Sequence, residues 1–247
     1  MKFNHAIKRA ISTALTVSVL VACSGGGGDA TAPGETTTGG TEGGTTTTTT
    51  DGSTITPVTT TCTPAPALPS QYSRVFKGCD SAGVAQYYDI TECVRDNTTG
   101  LIWQGQTPAG SGLRANDQDK TNFDSTTVPQ KYDASVAGSY RAPTLSEINA
   151  STNSVGFMNA INGTNLCGFS NWRIPTKDEL LSLVKSSESP KIDNAWFINT
   201  PAVTWYWTST SLGTAMAWGI QFSTGTASYG GRVGVAHTGV NLVRLVH

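Results

Sequence analysis

Hydrophobic and polar residues form local patterns along the chain, and each pattern predicts an element. Residues 94–96 lead into the polar segment 97–100, which ends in glycine, and the apolar segment 101–104 follows. This order predicts a β-hairpin. Residues 105–139 are polar and rich in glycine, so we expect a long loop there. Residues 155–161 have the spacing of a short amphipathic helix.

A second helix is predicted to begin after Thr176. The Thr176 hydroxyl can accept a hydrogen bond from the backbone of Glu179, and the Glu179 carboxylate can reach back, which makes a capping box. Four apolar side chains then mark one helical face: Leu180, Leu181, Leu183 and Val184. Residues 141–148 resemble residues 173–180, but one such match is too little to predict a repeat architecture.

The C-terminal third is predicted to be β-structure. Residues 205–210 combine aromatic and β-branched side chains, and residues 218–222 alternate as in a half-buried strand. A turn is expected at residues 223–225, and residues 240–246 are expected to form a last apolar strand. Four tryptophans lie on apolar segments or beside the capped helix, so we expect them in the core: Trp103, Trp172, Trp207 and Trp218.

Residues 1–22 have the features of a bacterial lipoprotein signal peptide. A basic start precedes an uncharged stretch, residues 10–21, that is too short to span a bilayer. The motif Leu20-Val21-Ala22-Cys23 resembles a lipobox, so Cys23 is predicted to carry the lipid anchor. The alternative is an ordinary secretory peptide with a chance cysteine. Ser24 is not the aspartate that retains many lipoproteins at the inner membrane, which favours the outer membrane or the cell surface.

The composition divides the mature chain into three parts. Residues 23–61 begin with the lipidated cysteine and continue as a Thr/Gly-rich tether that is expected to be disordered, because it has almost no apolar surface to bury. Residues 62–92 are expected to form a lead-in stapled by a disulfide. Residues 93–247 are expected to form the main domain, which with the lead-in is long enough for a sizeable core.

Four cysteines remain once Cys23 is lipidated, and an even number in an exported domain predicts two disulfides. Three pairings are open, of which we favour Cys62–Cys79 and Cys93–Cys167. The alternative is a zinc site, but the sequence has neither Cys-x-x-Cys nor His-x-x-x-His. We therefore expect no metal and no cofactor.

The charge balance restricts the partners. Without the signal peptide and the tether, 13 basic and 13 acidic residues remain of the 16 and 17 in the whole chain. A neutral domain with no Lys/Arg run has no electrostatic footprint for nucleic acid. Four oxygen-bearing side chains cluster in the loop: Asp117, Asp119, Asn122 and Asp124. A calcium loop is conceivable there, but the EF-hand spacing is missing, so a solvated turn is expected.

Several motifs, taken in order, resemble one bacterial family. They are residues 95–104, residues 171–180, Ile192-Asp193 with Phe197, residues 206–210, and residues 243–246. The set resembles the Lcl C-terminal domain family, long described as a domain of unknown function and named after a collagen-like adhesin. The resemblance implies an α+β, C-type-lectin-like fold with two helices beside antiparallel strands, and a surface binding or adhesive role. No collagen-like stalk precedes this domain, and its neutral charge argues against glycosaminoglycan binding.

The sequence favours a binding module over an enzyme. His237 and His247 are the only histidines of the mature chain, and no Gly-x-Ser-x-Gly nucleophile elbow is present. The two glutamates that start helices, Glu147 and Glu179, are explained by capping. We therefore predict no catalytic residue and a non-catalytic binding or adhesion module that is held at the membrane by its lipid.

The ligand face is predicted to lie on C-terminal loops between residues 223 and 241. Four polar or amphipathic residues there are the candidate ligand contacts: Tyr229, Arg232, His237 and Asn241. The ligand is an extracellular glycan or protein of unknown identity. Two other functions stay open, a receptor domain whose C-terminal strands are diversified by a retroelement and a catalytic member of the lectin-like fold group.

Overall fold

The computed structural model describes residues 62–65, 70–232 and 241–247. The predicted signal peptide, the lipidation site Cys23 and the Thr/Gly-rich tether lie outside these residues, and so does His237. The described part has a mixed α+β fold with mostly antiparallel strand pairs. No helix in it is both long and apolar enough to cross a bilayer.

Eleven strands and three α-helices are present among the described residues. The strands are β1 (Tyr72–Arg74), β2 (Phe76–Cys79), β3 (Ala85–Tyr87), β4 (Cys93–Asp96), β5 (Ile102–Gln104), β6 (Lys131–Tyr132), β7 (Tyr140–Arg141), β8 (Trp205–Leu212), β9 (Met216–Gln221), β10 (Thr226–Gly231) and β11 (Asn241–Leu242). The helices are α1 (Leu145–Asn149), α2 (Ser154–Asn162) and α3 (Lys177–Leu181). The helix predicted at residues 155–161 is confirmed as α2. The helix predicted after Thr176 is confirmed as α3, but it ends at Leu181, before the predicted apolar positions Leu183 and Val184. Helix α1 is a third helix beyond the two expected.

The first sheet has the strand order β1-β4-β5 and is antiparallel throughout. Its β4–β5 pair confirms the predicted hairpin. Gly100 closes the turn with a φ of +78°, a conformation that strains any residue with a Cβ. Asp96 stabilises the same turn because its carboxylate accepts a hydrogen bond from the backbone N–H of Thr98 at 2.9 Å. The lead-in supplies β1, where Tyr72 lies opposite Asp96.

The second sheet has the strand order β10-β9-β8-β11. β9 pairs antiparallel with both β8 and β10, whereas β11 runs parallel to β8. β8 and β9 confirm the strands predicted around residues 205–210 and 218–222. Helix α3 packs against β8, β9 and β10 and covers part of one face of this sheet.

The segment predicted as loop between residues 223 and 241 contains a strand, β10. It pairs residue by residue with β9, from Thr226 opposite Gln221 to Gly231 opposite Met216. The prediction was wrong here because β10 is built from small and polar residues with no apolar alternation. Its strand conformation comes from pairing with β9, the strand directly before it in the chain.

The last predicted strand, residues 240–246, is much shorter in the structure. Only β11 pairs with β8, and the chain then crosses to the first sheet, where Val246 forms bridges with Trp103 and Arg173. The Leu245 carbonyl accepts a hydrogen bond from the Gln104 backbone at 3.0 Å. The apolar residues after β11 are buried because they pass from the second sheet to the first. Apolar alternation alone does not distinguish such a crossing from one continuous strand.

Two capping boxes begin the short helices α3 and α1. The Thr176 hydroxyl accepts from the Glu179 N–H at 3.3 Å, and the Glu179 carboxylate accepts from the Thr176 N–H at 2.8 Å. Thr144 and Glu147 form the same pair of hydrogen bonds at 3.2 and 2.9 Å. The predicted capping box is therefore confirmed, and it occurs twice.

An arginine completes each capping box. Arg173 donates to both carboxylate oxygens of Glu179, at 2.8 and 2.6 Å, and Arg141 does the same to Glu147 at 2.9 and 2.6 Å. The hydrogen bonds from Arg173 are the main reason why the pKa of Glu179 falls to about 2. The resemblance between residues 141–148 and 173–180 thus reflects one local motif used twice.

Both favoured disulfides are confirmed. Cys62–Cys79 joins the start of the lead-in to β2, and Cys93–Cys167 joins β4 to the 3-10 turn Leu166–Gly168 that follows α2. The second bridge spans 74 positions of sequence. Such a crosslink stabilises the fold by roughly 4 kcal/mol in the loop-entropy model.

The apolar core lies on both sides of the second sheet. One cluster packs Leu180 of α3, and Leu183 just beyond the end of that helix, against Tyr206 and Ile220. The other groups the Cys93–Cys167 disulfide, parts of α2 and the C-terminal segment. Three of the tryptophans expected in the core are buried there: Trp103, Trp172 and Trp207.

Candidate functional site

Three of the four predicted ligand contacts lie in the described residues, and only one of them is exposed. Tyr229 is 49% exposed, whereas Arg232 and Asn241 are each 2% exposed. The expected exposure of Arg232 and Asn241 is therefore wrong. His237 lies outside the described residues, so its prediction stays open.

Arg232 is buried because it fastens the end of β10 to the rest of the domain. Its Nη1 donates to the Asn122 carbonyl at 2.6 Å and to the Asp124 carboxylate at 2.9 Å. Its Nη2 donates to the Ser211 hydroxyl at 2.6 Å. A planar guanidinium suits such a set of converging acceptors, so its role here is structural.

Asn241 is buried because β11 lies between β8 and the segment at residues 119–120. Its backbone N–H donates to the Asp119 carboxylate at 2.7 Å, and its carbonyl accepts from the Lys120 backbone at 2.9 Å. It also lies opposite Trp205 in the parallel pair with β8. These contacts place Asn241 inside the sheet rather than on a ligand face.

The residues weighed as a calcium loop have separate hydrogen-bond partners. Asp124 pairs with Arg232, and Asp119 accepts from backbone N–H groups. The Asn122 amide donates to the Thr208 carbonyl at 3.0 Å. Across the described residues, no group of three His, Cys, Asp or Glu could hold a metal ion.

Tyr229 belongs to an aromatic pair on the second sheet. It lies directly opposite Trp218 in the β10–β9 ladder, with ring centroids 5.5 Å apart and planes at 75°. This edge-to-face arrangement is a favourable one for two aromatic rings. The regular register holds both side chains on one face of the hairpin.

Trp218 is only partly buried, which corrects the expectation that it belongs to the core. Trp218 and Ile220 are two residues apart and share one face of β9. Ile220 is fully buried under the α3 side chains. Because α3 begins at Lys177, its apolar face covers Ile220 but leaves Trp218 at the margin of the covered area.

Lys177 and Met216 extend the aromatic pair. The Lys177 ammonium lies 4.8 Å from the centroid of the Trp218 ring, within the range of a cation–π contact. Met216 is 38% exposed and lies two residues before Trp218 on the same face. We call Lys177, Met216, Trp218 and Tyr229 the aromatic patch.

The patch offers apolar ring surface beside a single positive charge. Lys177 also lies 3.8 Å from the Asp178 carboxylate, but that carboxylate is largely exposed, so this ion pair is weak. The ammonium remains able to donate hydrogen bonds to a ligand hydroxyl or carbonyl. Such a surface can stack and orient a ligand, but it has no nucleophile–base pair.

A second exposed aromatic pair lies on the β6–β7 hairpin. Tyr132 and Tyr140 face each other with centroids 5.9 Å apart and are 45% and 47% exposed. Their hairpin consists of two strands of two residues each. The patch instead lies on six-residue strands of a four-stranded sheet, which makes it the better supported surface.

The sequence predicted one residue of the patch as a ligand contact and missed the others. Tyr229 could be found because it stands among small polar residues after an apolar strand. Trp218 was assigned to the core by its apolar alternation. Lys177 could not be linked to Trp218, because the two residues meet only through packing of α3 on the sheet.

The fold and its site define a disulfide-bonded α+β domain with an exposed aromatic patch on its C-terminal sheet. Comparison with known families gives one match, to the Lcl C-terminal domain over residues 92–247. The match covers more than half of the chain, so the protein belongs to the Lcl C-terminal domain family. No curated protein and no solved structure matches the chain.

Replacing Arg232 by Ala should destabilise the domain far more than replacing Tyr229 by Ala. Arg232→Ala leaves buried acceptors and the Asp124 charge without their donor, which we expect to lower the free energy of unfolding by about 3 kcal/mol. Tyr229→Ala loses one half-exposed ring contact, for about 1 kcal/mol or less. Urea unfolding of the purified mature chain measures both. Equal losses would contradict the structural role of Arg232.

Proposed function

We propose that the protein is a non-catalytic binding module held at the bacterial outer membrane or cell surface by a lipid on Cys23. The anchor is supported by Leu20-Val21-Ala22-Cys23 and by the basic and uncharged segments before it. The tether composition favours a flexible chain that lets the domain reach away from the membrane.

Metabolic labelling with a palmitate analogue tests the anchor. The wild-type protein should carry the label, and Cys23→Ala should carry none and leave the membrane fraction, because the acylated thiol is missing. A Cys23→Ala protein that is still labelled would show that the lipid is attached at another residue.

The observation that carries the binding proposal is the Tyr229–Trp218 pair, in which Tyr229 is exposed and Trp218 is only partly buried. Of the three other aromatic side chains in the strands of the second sheet, Tyr206 and Trp207 are buried. Tyrosine and tryptophan offer a large contact area at a small loss of side-chain entropy, which is why they dominate binding hot spots. A stable sheet that leaves such a pair exposed supplies a preformed contact surface.

The size of the patch favours a glycan over a protein partner. Stable protein interfaces bury about 20–30 residues on each side, whereas the patch has four side chains. The apolar face of a sugar ring can stack on the Tyr229 ring, and the Lys177 ammonium can donate to a sugar hydroxyl. We therefore propose a glycan as the ligand of this surface.

We also propose that the α+β domain is C-type-lectin-like. The mixed sheets, the few helices and the long stretch between β5 and α1, whose strands are only the short β6 and β7, support this assignment. An experimental structure with a different strand order would overturn the fold proposal.

A non-catalytic role agrees with the surroundings of His247, the one histidine among the described residues. Its ring stacks on Phe169 at 4.0 Å, and its Nδ1 is buried without a hydrogen-bond partner among those residues.

A glycan array tests the proposed ligand class and the site together. The mature chain, purified in detergent, should bind a restricted set of glycans. Tyr229→Ala should lower that binding by about tenfold or more, since it removes the exposed stacking ring.

Tyr132→Ala is the matched control, because Tyr132 has nearly the same exposure and also pairs with another aromatic ring. It should bind like the wild type, and thermal melting should show that both variants are folded. Loss of binding in Tyr132→Ala alone would move the site to the β6–β7 hairpin. A wild-type protein that binds no glycan would refute the ligand class.

A further inference from the structure

A cleft of about 360 Å³ opens beside the Cys93–Cys167 disulfide and shares no residue with the aromatic patch. Its walls come from three stretches of the chain, residues 88–92, 107–114 and 161–167. The volume lies within the usual range for small-molecule sites, about 300–1,000 Å³. The cleft is therefore large enough to hold a small ligand.

Arg114 provides a fixed positive charge in the wall of the cleft. Its Nη1 donates to the Gly105 carbonyl at 3.1 Å and also to the Thr91 carbonyl, so the guanidinium is held in place from one side. Burial lowers the pKa of Arg114, and the nearby Glu92 charge opposes that shift. No ion pair involves Arg114 within the described part of the chain.

Glu92 provides a negative charge in the same cleft. One of its carboxylate oxygens accepts from the Asp89 backbone at 3.0 Å, which leaves the other oxygen available. Glu92 and Arg114 do not pair directly, so the cleft contains two separate and opposite charges. Each side chain is also hydrogen-bonded to the backbone, Glu92 through one carboxylate oxygen and Arg114 through Nη1. A ligand with a carboxylate and an ammonium group complements both charges.

The rest of the cleft is partly apolar. Leu113, Ile161 and Leu166 line it, and the ring of Tyr88 adds an aromatic wall. Ile161 and Leu166 belong to the buried cluster around the disulfide, so their surfaces are backed by core packing. This lining suits an apolar side chain on the same ligand.

The disulfide side of the cleft is preorganised. Asn165 and Cys167 have φ values of +53° and +55°, which are strained for residues with a Cβ. The Cys93–Cys167 bridge holds this turn to β4, and the Trp172 indole N–H donates to the Leu166 carbonyl at 3.1 Å. A wall fixed in this way loses little freedom when a ligand binds.

A smaller hollow behind Leu113 and Arg114 does not extend the site. It is lined by the buried side chains of Lys120 and Gln104, and the Gln104 Nε2 atom has no hydrogen-bond partner among the described residues. The hollow has about 10 Å³, room for a single water molecule. Any organic ligand is therefore confined to the outer cleft.

We propose that the cleft binds a free α-amino acid with an apolar side chain, its carboxylate on Arg114 and its ammonium on Glu92. A neutral sugar leaves both charges without a counter-charge, and a multiply charged phosphate meets Glu92 as a like charge. This site is separate from the glycan-binding patch and stands without it.

Isothermal titration of the full mature chain with L-leucine tests the proposal. Leucine should bind, and N-acetyl-leucine and leucine methyl ester should each bind about tenfold more weakly or worse, because each lacks one charge. These blocked ligands are tested on the wild-type protein, so the result does not depend on any variant folding. Galactose should not bind in the cleft.

Two variants then test which residue binds which charged group of the ligand. Glu92→Gln should weaken leucine about tenfold and should also weaken leucine methyl ester, which keeps its ammonium, while N-acetyl-leucine, which has no ammonium, should bind as it does to the wild type. Arg114→Lys should weaken leucine because a lysine ammonium lacks the planar set of donors with which Arg114 can bind the two backbone carbonyls and the ligand carboxylate together. Arg95→Lys, at an exposed arginine outside the cleft, is the matched control.

The proposal is overturned if wild-type protein binds no amino acid, if N-acetyl-leucine binds as well as leucine, or if galactose competes for the cleft. It is also overturned if folded Glu92→Gln and Arg114→Lys proteins bind leucine like Arg95→Lys. None of these results depends on the glycan array, so this inference and the proposed glycan function fail separately.

Discussion

The guanidinium of Arg244 is the buried charge around which the two sheets meet. Arg244 is 1% exposed and has no carboxylate partner among the described residues. Instead it donates to the Gln104 carbonyl at 2.9 Å and to the Gln106 side chain at 2.7 Å, and it lies between the rings of Phe197 and Tyr206, 5.0 and 5.6 Å from their centroids. Because an unsolvated charge is so unfavourable, all of these partners must be in place together.

This requirement connects the fold to the two candidate binding surfaces. Arg244 ties the C-terminal segment to β5 and to β8, and β8 supports β9 and β10, which carry the aromatic patch. The Cys93–Cys167 disulfide ties the same β4–β5 region to the turn that walls the cleft. Both candidate sites therefore lie on parts of the molecule that are fixed by long-range contacts, while the patch and the cleft themselves stay open.

Local interactions were predictable from the sequence and most long-range ones were not. The Thr176 capping box and the hairpin that turns at Gly100 depend on local spacing and residue type, and the structure confirms them. The two disulfides were predicted from the even number of cysteines, and the structure confirms the favoured choice among three open pairings. Strand β10 was missed because its small and polar residues show no apolar alternation. The burial of Arg232 was missed because its partners Asn122, Asp124 and Ser211 are distant in sequence, and no local pattern identifies them. The cleft was missed for the same reason, since Glu92 and Arg114 come from separate segments that only the fold brings to one wall.

Amide hydrogen exchange with and without the glycan identified on the array tests the central claim most directly, because it locates the ligand on the domain. If the patch is the contact surface, binding should slow exchange in residues 216–231, where β9 and β10 carry Trp218 and Tyr229. Residues 131–141 and the cleft segments should exchange at unchanged rates. Protection confined to residues 131–141, with none in β9 or β10, would contradict the account and place the glycan on the Tyr132–Tyr140 hairpin.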